Sequence, residues 1–171
     1  DAMRWRARAV AGVAVVLAVL LQGALLARLS VPVELLPLTV VAVATRLSQS
    51  EAASIGFAAG LLADLVPPAP GVLGGNALVC TLLGVVAVRI YPRIPRVWWA
   101  RGVFVGVLGT CATAAVMVLA LIVGRPDLGW QSAWPTLLGE LLIGSVLGAG
   151  LVPLAAAALG PGPRIVLGTP R

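Results

Sequence analysis

The sequence predicts an all-α integral membrane protein with six transmembrane helices and both termini in the cytoplasm. Three observations carry this expectation. Apolar residues fill 60% of the 171 positions and charged residues only 11%, whereas a soluble domain carries about 25% charged residues. The apolar residues fall in runs near the length needed to cross a bilayer core, about 20 residues with about 17 as a lower limit. The arginines, finally, gather on one side of the resulting topology, as they do in cytoplasmic loops. With a mean hydropathy of +1.07, too little polar surface remains to coat a globule in water, so lipid is the expected solvent.

The runs divide the chain at its proline, glycine and polar breaks. The first predicted span, 9–29, is interrupted only by Gln22, and Ser30-Val31-Pro32 turns the chain. The second, 33–47, is short and holds Glu34 and Pro37. Arg46 to Glu51 (RLSQSE) form the polar turn of a helical hairpin whose second arm is the third span, 51–66. Pro67-Pro68-Ala69-Pro70-Gly71 stops that arm, and the fourth span covers 74–91 before PRIPR breaks it. The fifth, 97–123, ends at GRPDLG, and the sixth, 134–159, ends at GPGPR. No linker is long enough to separate a second domain, so residues 1–171 read as one unit. Asp1-Ala2 reads as an addition ahead of a natural start at Met3. The arginine-rich opening resembles a signal peptide, but its long apolar run lacks a clear A-x-A site and reads as a retained span.

Six spans place Arg4, Arg6, Arg8, Arg46, Arg89, Arg93, Arg96, Arg101, Arg164 and Arg171 on one side, leaving only Arg28 and Arg125 opposite. The positive-inside rule makes the first side cytoplasmic. Trp5, Trp98, Trp99, Trp130 and Trp134 fall at predicted span ends, where amphipathic rings anchor at the interface. The formal charge of +6, with neither lysine nor histidine, is therefore read as topology and anchoring and gives no reason to expect nucleic acid.

With this orientation the polar residues converge on the outer half of the bundle. Asp64 lies near the outer end of the third helix, where water lowers the cost of an acid below the ~2.5 kcal/mol it carries at the bilayer centre. Glu34 opens the second helix on the same side, and Glu140 lies one to two turns inside the sixth. Gln22 is late in the first helix and Asn76 early in the fourth. Each residue either caps or snorkels by itself, or the group forms a polar pocket or docking site, since intramembrane acids usually face a bundle interior. The polar residues do not cross the membrane, which argues against a proton relay.

Small residues give a second pattern. Gly56-x-x-x-Gly60 continues to Asp64 at helical spacing, widened by Ala52, Ala59 and Ala63, and such faces let helices approach closely. Gly102-x-x-x-Gly106 and Gly144-x-x-x-Gly148 repeat it in the fifth and sixth helices. Packing within the chain is the expected use of most of these, with one open to another protein's helix. Cys80 and Cys111 read as apolar fillers. No phosphate loop, nucleophile–base pair or metal-ligand spacing is visible, so no catalytic residue, cofactor or metal is expected and the chain reads as a non-enzyme.

One stretch carries a family resemblance. VELLPLTVVAVATRLSQSEAASIGFAAGLLADL, a Pro/Gly loop, and LGGNALVCTLLGVVAVRI resemble the bacterial rod shape-determining MreD family. Its pattern, roughly G-F-x-x-G-x-x-x-D-L followed by Leu-Gly and Ala-Leu, maps onto Gly56-Phe57, Gly60, Asp64-Leu65, Leu73-Gly74 and Ala77-Leu78. The likeness covers about 33–91. The chain departs from the pattern at Glu34, where the family has an aspartate after proline, and in a longer outer loop. The resemblance implies a non-catalytic inner-membrane member of the cell-wall elongation complex that binds MreC. MreB, RodA and a class B penicillin-binding protein would stand further out in the assembly. The small-residue face of the third helix, or the outer polar cluster, would receive the MreC membrane helix. Gly56, Gly60, Asp64, Gln22, Glu34, Asn76 and Glu140 are thus the candidate partner- or ligand-binding residues.

The alternative is the six-helix substrate-binding subunit of an energy-coupling-factor vitamin transporter, whose fold the MreD family resembles. Size, topology and an outer polar cluster suit it, and small residues at Ala7, Ala11, Ala14 and Ala18 would face a coupling subunit. The shortage of aromatic residues for gripping a vitamin ring counts against it.

Overall fold

The computed structural model describes residues 2–21, 34–65, 74–123 and 130–159, with the backbone alone at 2–8 and 130–133. Among these residues the regular elements are all helical. They are α1 (Ala2–Leu21), α2 (Leu35–Ala44), α3 (Gln49–Leu65), α4 (Gly75–Ile90), α5 (Trp98–Ile122) and α6 (Trp130–Leu159), with one 3-10 turn at Tyr91–Arg93.

The short helix α2 sits in the middle. All of it except Leu35 is buried, as expected of a helix that is apolar all round. It touches each of the other five helices, which close a ring around it in the order α1, α3, α4, α5, α6 and back to α1. Its ten residues rise about 15 Å, half of a ~30 Å hydrocarbon core. The region expected as a span at 33–47 is therefore, where described, a central peg. Pro37 is tolerated there because it lies in the first turn, where its missing N–H has no helical partner to lose.

The outside of the ring is apolar. Leu17 and Leu20 of α1, Phe57 and Leu65 of α3, Leu78 and Leu82 of α4, Ile122 of α5, and Leu142, Val146 and Leu154 of α6 are all exposed. A water-soluble monomer rarely shows apolar patches this extensive. Three stretches, Gly75–Arg93, Trp98–Ile122 and Trp134–Leu159, are long and apolar enough to cross a membrane, and Ala9–Leu21 and Leu35–Ala44 are shorter apolar helices. The hydroxyls follow the same logic. Thr39, Thr81, Thr110 and Ser145 each donate to the carbonyl four residues back, at 2.8, 2.6, 2.9 and 2.6 Å, which satisfies them where water is scarce.

Two antiparallel hairpins build most of the ring, and glycine sets their spacing. In α3–α4, a Cβ at Gly56 would strike the Cys80 carbonyl and one at Gly60 the Asn76 carbonyl. From the α4 side, a Cβ at Gly84 would come within 2.6 Å of the Ala52 carbonyl oxygen. In α5–α6, Gly102 and Gly106 lie against Ala149 and Ser145, while Gly148 lies against Val105. All three small-residue motifs thus serve contacts within the chain.

The turn from α2 into α3 is fixed by half of a capping box, in which the Glu51 side chain reaches back to Ser48. Ser48 Oγ donates to Glu51 Oε2 at 2.7 Å, and the Ser48 N–H donates to the same oxygen at 3.0 Å. Both bonds are accepted by the one carboxylate, which satisfies the N–H of the residue preceding the helix. Among the described arginines, Arg46, Arg89, Arg93, Arg96 and Arg101 lie at one end of the bundle, around the α2–α3 and α4–α5 connections. There the Arg101 guanidinium stands 5.3 Å over the Tyr91 ring, and Tyr91 packs against Phe104 at 6.1 Å. Trp98, Trp99 and Trp134 are exposed at or near helix starts.

Candidate functional site

Three of the acids, Glu34, Asp64 and Glu140, form a layer deep in the bundle, away from the arginine end where Glu51 caps α3. At 1.5 Å per residue, Asp64 lies about 22 Å from the start of α3, Asn76 about 21 Å from the end of α4, and Thr113 about 22 Å from the start of α5. The α3–α4 hairpin stops at this level. The α5–α6 hairpin continues about 14 Å beyond it, which leaves Glu140 nearly three turns inside α6. The sequence placed it one to two turns inside, but α6 begins at Trp130, earlier than the apolar run suggests.

Asp64 is 5% exposed, more enclosed than its place near a helix end implied. The reason is α4. That helix begins after Gly74, whose φ of +90° suits glycine and which offers no side chain for a cap. Asp64 supplies the cap from the neighbouring helix. Its Oδ2 accepts the Gly74 N–H at 2.8 Å and the Ala77 N–H at 3.4 Å, and its Oδ1 accepts Asn76 Nδ2 at 2.9 Å. One carboxylate thus performs both halves of a capping box, at a helix end whose dipole favours negative charge.

The second group joins three helices. Glu140 of α6 is 1% exposed, and its Oε1 accepts the Thr113 hydroxyl of α5 at 2.7 Å. Glu34, preceding α2, faces the same hydroxyl, and its backbone amide hydrogen-bonds to the Glu140 carboxylate. Cys80 of α4 lies within electrostatic reach of both Glu34 and Asp64.

Four of the candidates are therefore brought together in two sets, Asp64 with Asn76, and Glu34 with Glu140. Gly60 lies directly beneath the first, and Gly56 lies one turn further along the α3–α4 seam. Gln22 is outside the described residues. Sequence reasoning missed Thr113, the hydroxyl that ties the glutamates together. Its only signal is a polar residue in an apolar helix, and most such threonines merely bond their own backbone.

Chemically, the arrangement holds helices. Every described polar contact of Asp64 and Glu140 runs to another element of the chain. No group of three or more residues able to hold a metal is found among the described residues. No family model, curated protein or solved structure matches the chain.

Proposed function

We propose that the chain is a polytopic helical scaffold of a membrane, in which buried acids fix the bundle and catalyse nothing. More specifically, it is an MreD-type member of the bacterial cell-wall elongation complex, in the cytoplasmic membrane, with an MreC-type single-span protein as its direct partner. All six helices are membrane-inserted in this reading, and the arginine end and both termini face the cytoplasm.

One observation supports it most. The residues that carry the resemblance, Gly56, Gly60, Asp64, Gly74 and Ala77, form a single structural unit: a glycine seam closed by a shared cap. A motif of such residues is intelligible as the lock of a rigid hairpin, which a scaffold needs. Because α4 fills the glycine face, the partner helix has to meet a different side of α3. Phe57, Leu61, Leu62 and Leu65 are exposed there.

The test is purification from the native membrane with identification of bound proteins. An MreC-type protein should copurify, and Phe57→Ser with Leu61→Ser should reduce its recovery while the bundle stays folded. Recovery of an ATP-hydrolysing coupling module, or of a bound vitamin, would overturn the reading in favour of a transporter subunit.

A further inference from the structure

Two glutamates meet at one hydroxyl. Thr113 Oγ lies 2.7 Å from Glu140 Oε1 and 3.4 Å from the Gly109 carbonyl oxygen, and the Glu34 carboxyl faces the same Oγ. A hydroxyl has a single hydrogen to donate, while an ionised carboxylate only accepts. Two carboxylates therefore cannot both bond to Thr113. With the hydrogen on the Glu140 side, Glu34 reaches Oγ only as a donor. With the hydrogen turned to Gly109, both glutamates face a bare oxygen. Every arrangement that satisfies the group thus needs a further hydrogen on a glutamate. The Glu34 backbone amide also bonds to the Glu140 carboxylate. Glu140 already holds two donors, so the extra hydrogen belongs on Glu34.

Charge leads to the same count. Two carboxylates side by side repel, and burial makes the charged form costlier still, so one of them is held neutral. The described arginine side chains lie at the other end of the bundle. Arg101, on the same helix as Thr113, is about 18 Å away along the axis. From α4 the group meets Cys80, which is within electrostatic reach of Glu34 and of Asp64 on α3. Asp64 is itself engaged by Gly74, Asn76 and Ala77. Ala9–Leu21 of α1 and Leu35–Ala44 of α2 carry no titratable side chain. Every described neighbour is thus neutral or negative. Thr113 is 4% and Glu140 1% exposed, whereas Glu34 is only partly buried, which gives a proton its way in and out.

We propose that Glu34 and Glu140 share one proton through Thr113, and that this proton locks α2 to the α5–α6 hairpin. The Glu34 carboxyl donates to Thr113 Oγ, whose own hydrogen goes to Glu140. Loss of the proton to water leaves two carboxylates and one hydroxyl hydrogen. The N-terminal end of α2 then loses a bond and gains a repulsion. The lock is pH-sensitive, and its sign is fixed. Unfolded glutamates release their protons near pH ~4.3. Above that, the folded chain holds one proton more than the unfolded chain, so stability falls as pH rises. The proposal goes beyond the scaffold reading and is independent of any MreC-type partner, so the test uses the isolated chain.

The full chain is unfolded reversibly in mixed micelles at a series of pH values from about 5.5 to about 7.5. The chain has no histidine, so carboxyl groups are the side chains expected to titrate in that range. For wild type the unfolding constant should rise by up to about tenfold per pH unit, the slope of one proton. Glu34→Gln, whose amide donates to Thr113 in the proton's place, should flatten the profile. Glu140→Gln should flatten it too, by removing the charge that holds the proton. Asp64→Asn, outside the group, should keep the wild-type slope. Infrared spectra in a detergent without ester groups give a readout that needs no unfolding. Wild type near neutral pH should show the carbonyl stretch of a protonated carboxyl, and Glu34→Gln should lack it. A flat wild-type profile would mean that a cation neutralises the second glutamate, and would overturn the proposal. So would a slope that survives in both glutamine variants, or the absence of the protonated-carboxyl band from wild type.

Discussion

Asn76 Nδ2 donates to Asp64 Oδ1 at 2.9 Å, joining the last turn of α3 to the first turn of α4. The bond matters because Asp64 also accepts two backbone N–H groups at the start of α4. Asn76 thus steadies a carboxylate whose main task is to begin the next helix. Asp64→Ala should destabilise the bundle by about 2–3 kcal/mol, combining a lost cap with donors left unpaired. Asp64→Asn, which keeps an acceptor oxygen, should cost about 1 kcal/mol. Reversible unfolding in mixed micelles would measure both, and equal losses in the two variants would show that the cap is not what Asp64 contributes.

The glycines of the same hairpin divide into two kinds. Gly60 touches the α4 backbone, and a Cβ there would collide with the Asn76 carbonyl and with Ala77. Backbone yields little, so Gly60→Ala should cost about 1–3 kcal/mol. Gly150 has open space on α6, and Gly150→Ala should instead stabilise by up to ~1 kcal/mol through helix propensity alone. Opposite signs in one unfolding assay are the expected result.

How much of this was legible in the sequence depends on whether a residue acts within its own helix or across helices. Helix positions followed from apolar runs and proline breaks, because both act locally. The Gly56–Gly60 face was visible as spacing, but spacing alone does not say which helix fills it. Asp64 was read as a residue near a surface. Its partners lie ten to thirteen positions onward, and the bond depends on how the α3–α4 hairpin closes. The central position of α2 was likewise hidden. Its composition matches a short span as well as a buried peg, and only contacts with five neighbours distinguish them. Thr113 was missed for the same reason.

The Thr113–Glu140 contact tests whether the glutamate layer is held by hydrogen bonding or by charge. Glu140→Gln preserves an oxygen for the Thr113 hydroxyl at 2.7 Å and carries no charge beside Glu34. It should be close to neutral or slightly stabilising. Glu140→Leu leaves the Glu34 amide and the Thr113 hydroxyl with one partner fewer, and should cost about 1–3 kcal/mol. Thr113→Val should share most of that loss, so that Glu140→Leu with Thr113→Val costs less than the sum of the single changes. Additive losses would mean that the two side chains do not act as a unit.

Leu38 is fully buried at the centre of α2, and it rests on glycine. A Cβ at Gly109 of α5 would come within 2.7 Å of Leu38 Cδ2, and one at Gly144 of α6 within 3.3 Å. The obstructing atom in both cases is the tip of a side chain, so this clash is relieved by shortening the leucine, unlike the backbone clash at Gly60. Gly109→Ala alone should therefore cost about 1–3 kcal/mol by overpacking. Leu38→Ala alone should cost about 2–5 kcal/mol by leaving a cavity. Together the added methyl fills part of the space the leucine vacates, and the pair should be at least ~0.5 kcal/mol more stable than the sum of the separate losses. Such coupling follows from the central-peg arrangement, because Leu38 is the side chain that meets both Gly109 of α5 and Gly144 of α6. Independent effects would place the Leu38 side chain away from the two glycines.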